Sequence, residues 1–224
     1  MTVETGVNVH AEGSCLIAMG KTRVHVTASV EDRVPGHRRG TGRGWITAEY
    51  SMLPRATRDR NQREASRGRL GGRTHEIQRL IGRALRAAVD MSRLGERTIT
   101  LDCDVLQADG GTRTASVTGG FIAMYQAIRR MKEARMIAAM PVRQYVAAVS
   151  CGIVDGEPRL DLDYAEDFLA GTDLNCVMGE DGRLIELQAT AEGEPYSRAE
   201  LEAMLEMAHR GIRELIAEQK RALG

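Results

Sequence analysis

The sequence predicts an α+β fold, with helices packed on a mixed β-sheet. Three observations carry that prediction. From Thr98 to Val105 apolar and polar residues alternate: Ile99, Leu101, Cys103 and Val105 on one side, Thr98, Thr100, Asp102 and Asp104 on the other. Period two is the mark of a half-buried strand. From Ile77 to Val89 the period changes, and Ile77, Leu80, Ile81, Ala84, Leu85, Ala88 and Val89 fall on one helical face. The segments then succeed one another as strands, helix, strand, helix, strands, helix, which is not the regular alternation of a doubly wound sheet.

Taken in order, Ser14 to Val30 reads as two strands. Cys15 to Met19 is the first, Gly20-Lys21 is a turn, and Val24, Val26 and Ala28 alternate with polar residues in the second. A loop rich in glycine and arginine, Arg33 to Gly44, leads to a strand over Trp45 to Leu53. Pro54 to Arg73 has little apolar content and reads as an exposed loop. The helix that follows is expected to end at Gly95. Asp109-Gly110-Gly111-Thr112-Arg113 turns the next strand into a helix carrying Val117, Phe121, Met124, Ile128 and Met131. Tyr145 to Val154 is strand-like and turns at Asp155-Gly156 into Leu160 to Asp163. A hairpin is expected around Asp181-Gly182, with Leu184, Ile185 and Leu187 in its second arm. Ser197 and Glu200 make a capping box for a last helix, whose core face is Leu201, Met204, Leu205, Ala208, Ile212 and Leu215. No repeat or linker divides the chain, which is read as one domain, residues 1–224.

Composition narrows the class. At 224 residues and 42% hydrophobic, the chain is long enough to bury a core. Only 4% is aromatic, so that core rests on aliphatic residues and methionine. The formal net charge is zero, so overall charge announces no polyanionic partner. The basic residues are lopsided, however: of 31, only Lys21, Lys132 and Lys220 are lysines. Arginine is the better fork for phosphate oxygens, and a biased genome gives the same composition, so placement decides. Cys15, Cys103, Cys151 and Cys176 lie far apart in apolar stretches and read as reduced core thiols. No apolar run approaches membrane-spanning length and no signal-peptide pattern opens the chain, so a cytoplasmic protein is expected.

Three segments carry candidate chemistry. Seven arginines, Arg55, Arg58, Arg60, Arg63, Arg67, Arg69 and Arg73, are opposed only by Asp59 and Glu64. Such a cluster suits a phosphodiester backbone; a solvated charge run or salt bridges between subunits fit the composition equally. No aromatic residue is interleaved after Tyr50, which argues against base stacking on this loop. At Gly110-Gly111-Thr112-Arg113-Thr114, backbone N–H groups at a helix start, hydroxyls and a guanidinium favour an anion. The alternative is an ordinary Gly-Gly turn with a threonine cap. Asp161, Asp163, Glu166, Asp167 and Asp173 crowd one stretch, with Asp161 and Asp163 expected to project from a strand. Carboxylates near a phosphate site hold Mg²⁺ or move a proton; solvent-facing acids are the plain alternative.

Taken together these runs resemble the bacterial RNase PH family. The matching text includes Ser29 to Pro35, Gly44 to Thr57 and Glu76 to Arg86, and its most specific run is Gln107 to Ser116. The resemblance covers nearly the whole chain. It implies a ribosomal protein S5 domain 2-like α+β fold and a homohexameric ring built as a trimer of dimers. It also implies a phosphate-dependent 3′-to-5′ exoribonuclease that matures tRNA precursors and releases nucleoside diphosphates, a reversible nucleotidyltransferase. By position, Arg73, Gly111, Thr112 and Arg113 match the family's phosphate site. Asp167 and Asp173 match its catalytic pair, which would also hold Mg²⁺. Arg55, Arg60 and Arg63 fall in the loop the family uses on tRNA. The family's basic segment before the first strand is absent here. Two other readings remain: a catalytic ring subunit of an exosome, and a non-catalytic RNA-binding ring subunit, which would be expected to lose the arginine or the acids that this chain keeps.

Overall fold

The computed structural model describes residues 1–224, the side chains of Ala65 and Arg67 excepted, so Arg67 of the arginine run lies outside what is described. Among the described residues, two sheets and five α-helices form the fold. The first sheet has the order β1-β2-β3-β5-β4, from β1 (Thr2–Thr5), β2 (Gly13–Met19), β3 (Thr22–Glu31), β4 (Trp45–Met52) and β5 (Thr98–Gln107). It is mixed: β4 runs parallel to β5, with Trp45 level with Thr98, and the other pairs are antiparallel. The second sheet is antiparallel throughout, in the order β7-β6-β8-β9, from β6 (Val146–Val154), β7 (Glu157–Leu160), β8 (Thr172–Gly179) and β9 (Leu184–Ala191). The helices are α1 (Gly72–Ala87), α2 (Met91–Leu94), α3 (Thr112–Glu133), α4 (Tyr164–Leu169) and α5 (Arg198–Leu223). The predicted α+β class holds, with the strands divided between two sheets.

The packing follows from the sequence patterns. The strand β5 buries Ile99, Leu101, Cys103 and Val105, the side that the alternation assigned to the core. Helix α1 buries Ile77, Leu80, Ile81, Ala84 and Leu85 against β4. Helix α3 is different, because it touches β2 and β3 of the first sheet, β6 of the second, and both α1 and α5. It buries every residue from Thr114 to Met124, as a helix surrounded by protein must. Gly119 and Gly120 make this possible. A Cβ on Gly119 would come within 2.8 Å of the Ile17 side chain, so the helix lies hard against β2 there. The core cluster is continuous from β2 through α3 to β6, β8 and α5.

Some expectations need correction. The helix beginning near Ile77 ends at Ala87, not at Gly95. Asp90 caps a separate short helix by accepting from the Ser92 N–H, and Gly95, with φ +68°, ends that one. Asp161 and Asp163 do not project from a strand. β7 stops at Leu160, Asp161 takes a left-handed φ of +58°, and Asp163 is the N-cap of α4. The strand β1 and helix α4 escaped the sequence reading. Each is short, four and six residues, and neither contains a buried residue to set a period. The four cysteines are free and buried, as read. Burial pushes the thiols of Cys15, Cys151 and Cys176 up to about 12, which makes them inert.

The C-terminal helix is pinned by one polar side chain. Gln219 is fully buried, and its amide donates to the carbonyls of Thr118, at 3.0 Å, and Val146, at 2.9 Å. It joins α5 to α3 and to the second sheet. Gln219→Leu keeps the volume and strips a donor from two buried carbonyls. We expect a loss of about 1–3 kcal/mol in stability, read as a lower urea midpoint at unchanged slope. An unchanged midpoint means those carbonyls are satisfied without Gln219.

Candidate active site

The burial of α3 fixes where its first turn sits. Gly111 is the N-cap, with φ +65° and ψ +27°, a conformation that costs a residue with a side chain but not glycine. The amide dipoles of a 22-residue helix point toward this end and favour an anion beside it. Gly110 is held still more tightly. A Cβ there would lie 1.7 Å from the Leu162 carbonyl oxygen, so the turn and the segment leading into α4 are in direct backbone contact. The Thr22 hydroxyl donates to the Gly110 carbonyl at 2.6 Å. The Asp109 carboxylate accepts from the Tyr164 N–H at 2.9 Å. The glycine-rich turn is thereby fastened to the first sheet and to the segment that begins α4.

Thr112 and Arg113 project from this first turn. The Thr112 hydroxyl is hydrogen-bonded to the Tyr50 hydroxyl at 2.9 Å. Tyr50 is buried, and burial pushes its ionisation up, against the opposing pull of Thr112 and of the guanidiniums of Arg73 and Arg113. Arg113 donates to Gln188 Oε1 at 3.2 Å and meets Glu76 Oε1 at 3.3 Å. Its side chain is only 13% exposed against 48% for Glu76. Two anchors on different elements therefore aim a mostly covered guanidinium, a geometry with little reorientation left in it.

The acids come from the second sheet. Asp173 and Asn175 alternate on β8, and Asn175 is directly opposite Gln188 on β9, so the three share one face. The Asn175 amide donates to both Asp173 oxygens, at 3.3 and 3.2 Å. Burial, and then the Asp167 carboxylate, push the Asp173 carboxyl above its ordinary range; Arg113, Asn175 and Arg73 pull the other way. Asp173 thus lies within electrostatic reach of Asp167 on one side and of Arg73 and Arg113 on the other. A half-buried acid next to a second acid stays protonated to higher pH than a surface carboxylate.

Most of the residues singled out from sequence meet here. Arg73 stands exposed in the first turn of α1, Gly111, Thr112 and Arg113 begin α3, Asp167 is on α4 and Asp173 on β8. Arg55, Arg60 and Arg63 are exposed and, among the described residues, have no acidic partner. Arg63 differs from the other two, because it lines a cavity of about 470 Å³ together with Arg73, Tyr50 and Glu64. Glu64 is spent locally: it accepts from the Thr74 hydroxyl at 2.9 Å and the Gly71 N–H at 3.3 Å, which ties the loop to the start of α1. Asp161 and Asp163 do not join the acidic pair; the latter is used to cap α4.

Several participants were missed. Tyr50, Glu76, Gln188 and Asn175 each touch a candidate residue. Glu76 had a signal, three residues from Arg73 on one helix. Gln188 and Asn175 had none, since their role depends on strand register. The Ser150 hydroxyl, buried beneath Gly111, has no hydrogen-bond partner among the described residues, and 3.6 Å separates it from the Cβ position of that glycine.

A glycine-rich turn with two arginines, within electrostatic reach of a pair of carboxylates, suits the handling of a phosphoryl group, and comparison with known proteins narrows it. Residues 1–129 match the family model for domain 1 of the 3′ exoribonuclease family, and residues 144–211 match that for its domain 2. Ribonuclease PH of Cereibacter sphaeroides is 58% identical over 224 residues, covering all of this chain and 94% of that one. Ribonuclease PH of Moorella thermoacetica is 58% identical, covering 100% and 90%. Among solved structures, an Archaeoglobus fulgidus exosome with RNA bound to the active site superposes with a TM-score of 0.82 at 21% identity, covering 97% of this chain and 87% of that one. An archaeal exosome core gives 0.77 at 21% identity, covering 98% and 85%. The chain belongs to the ribonuclease PH family of 3′ exoribonucleases.

The tight seat of Gly110 gives a test of the site's frame. Gly110→Ala must push the turn away from Leu162. A displacement near 1 Å between reacting groups costs about 100-fold in rate, and overpacking costs about 1–3 kcal/mol in stability. We expect activity to fall far more than the melting temperature. Unchanged turnover would show that the turn's position does not matter to the chemistry.

Proposed function

We propose that this chain trims the 3′ ends of tRNA precursors by phosphorolysis, with Arg73, Gly111, Thr112 and Arg113 holding inorganic phosphate and Asp167 and Asp173 serving the transferred group. The observation that carries the assignment of roles is the convergence of Arg73 and Arg113 on Asp173, which sets cations for the attacking anion beside an acid with raised affinity for a proton. A phosphate oxygen attacks the terminal phosphorus in line. The 3′-oxygen of the penultimate nucleotide leaves, and a nucleoside 5′-diphosphate is released. Two anions must approach each other, so positioning and charge neutralisation supply most of the acceleration. The N-terminal amides of α3 and the two guanidiniums do the neutralising. Asp173, protonated more readily than a surface acid, would give a proton to the leaving oxygen as general acid.

Asp167 and Asp173 also fit Mg²⁺, and with that ion bound Asp173 would be an ionised ligand instead of the proton donor. That ion takes one or two carboxylates and completes its shell with substrate phosphate and water, and among the described residues no group of three or more His, Cys, Asp or Glu is arranged to hold a metal by itself. When bound, Mg²⁺ would neutralise charge on the transferred group. Arg55, Arg60 and Arg63 grip the body of tRNA, which the absence of competing acids among the described residues leaves them free to do. We read the chain as one domain and its working form as a hexameric ring, a trimer of dimers, a reading supported by the likeness to exosome structures. A cytoplasmic setting suits the free thiols, and among the described residues no helix is long and apolar enough to cross a membrane.

The reaction is expected to need phosphate and to run backwards, since it exchanges one phosphoryl linkage for another. With excess nucleoside diphosphate and no phosphate, RNA 3′ ends should lengthen. Nucleoside monophosphates formed equally well without phosphate would instead identify a hydrolase. Arg113→Ala removes a charge-assisted hydrogen bond of about 1.5–3 kcal/mol, so the rate at low phosphate should fall about 10–100-fold with RNA affinity little changed. Asp173→Asn should abolish turnover and leave tRNA bound. Equal effects of both variants on phosphate and RNA dependence would reject this division of roles.

The arginine loop gives a separate test. Replacing Arg55, Arg60 and Arg63 by alanine should weaken tRNA binding and flatten its salt dependence, by about one in slope of log K against log salt for each phosphate no longer neutralised. Cleavage of a short single strand should fall far less. Because Arg63 lines the cavity beside Arg73, the single change Arg63→Ala is expected to affect short substrates more than Arg55→Ala or Arg60→Ala does. Sedimentation of the triple variant checks assembly, and a ring that falls apart would assign the loop to subunit contacts.

A further inference from the structure

The helix α4 is built in a way that the core does not explain. It has six residues and buries none of them. Yet it carries Tyr164 and Phe168, 63% and 77% exposed, with ring centroids 6.3 Å apart and planes inclined by 29°. Exposed aromatic pairs are costly in water unless something covers them. The helix is not loose: Asp163 and Glu166 form a reciprocal capping box, the Arg159 guanidinium donates to Glu166 at 2.8 Å, and Asp109 of the glycine-rich turn holds the Tyr164 N–H. A well-anchored helix presents two rings to solvent.

Their position says what they meet. Tyr164, Asp167 and Phe168 are spaced i, i+3 and i+4, so the rings and the acid share one helical face. Asp167 is close enough to Asp173 to raise its affinity for a proton. The aromatic pair therefore stands beside Asp167 at the rim of the candidate active site, on a helix whose first N–H is held by Asp109 of the glycine-rich turn. Other aromatic residues are engaged elsewhere: Phe121 packs with Tyr125 and Tyr145, Tyr50 is buried on Thr112, and Trp45 is covered by Arg38 and Arg86. An enzyme that removes whatever nucleotide comes next needs a grip on bases that tolerates their identity. Stacking provides it, because every base has a π-face, and cationic groups nearby hold the backbone.

We propose that Tyr164 and Phe168 form a stacking shelf for the unpaired bases at the 3′ end of the RNA, next to Asp167. The shelf names how the substrate of the proposed reaction is held, and so it rests on that reading. The arginine loop, which lacks aromatic residues, takes phosphates; the shelf takes bases.

The test uses the full chain and short oligoribonucleotides carrying 2-aminopurine as the last or penultimate base, without phosphate so that nothing is cleaved. Wild-type protein should quench the 2-aminopurine fluorescence on binding. The double variant Tyr164→Leu/Phe168→Leu, which keeps apolar bulk without rings, should bind about tenfold more weakly or worse, with the quenching lost. Tyr164→Phe/Phe168→Tyr should restore both. An oligonucleotide with abasic sugars at its last two positions should bind wild type and the double variant alike. Unchanged affinity in the double variant, or an equal loss with the abasic strand, overturns the shelf. A smaller assembly in sedimentation velocity also overturns it, since the face then joins two copies of the chain. Failure of the wild type to release nucleoside diphosphate in phosphate buffer would defeat the functional reading instead, while the fluorescence result would still decide the shelf.

Discussion

Helix α3 has no solvent face from Thr114 to Met124, and the position of its first turn is a consequence of that. A helix can be enclosed on all sides only if its residues are apolar or small, and here Gly119 and Gly120 let it lie against β2 on one side and α1 on the other. Its axis is thereby fixed by packing with both sheets. The amide ends of its first turn, and the guanidinium of Arg113 one residue further on, inherit that rigidity. Catalytic groups mounted on buried elements keep their geometry more closely than groups on loops. The glycine-rich turn is half-buried and yet continuous with the centre of the core.

Electrostatic forces in the site are balanced rather than one-sided. Arg113 is largely covered, and a covered charge needs partners. Glu76 and Gln188 provide them from α1 and β9. On the other side, burial and Asp167 raise the proton affinity of Asp173 against three opposing influences. Cations and acids come from different elements, so neither group could be arranged without the tertiary fold.

Much of this was legible before the structure. The alternation at Thr98 to Val105, the helical spacing after Ile77 and the Ser197–Glu200 box each rest on a local pattern, and each marks an element of the expected type, although the helix at Ile77 has other ends than expected. The glycine-rich turn, Arg73 and the two acids were legible as residue types, and as text resembling a family. What escaped depends on register and contact. No sequence period distinguishes Gln188 from other polar residues of β9, and Asp161 was misplaced because the strand stops at Leu160, where Asp161 turns left-handed. Helix α4 hid because a helix without buried residues has no hydrophobic period.

The division of labour in the site follows a boundary in the chain. The anion turn, Arg73 and the arginine loop belong to residues 1–129, which match one family model, while both acids belong to residues 144–211, which match the other. Each half supplies one sign of charge. The contact of Gly110 with the Leu162 carbonyl is one place, beside the packing of α3 on β6, where the halves interlock. Such a site has no single owner. A change that leaves each half well folded but alters the seam between them by a fraction of an ångström is invisible to either half alone and is felt only where they meet.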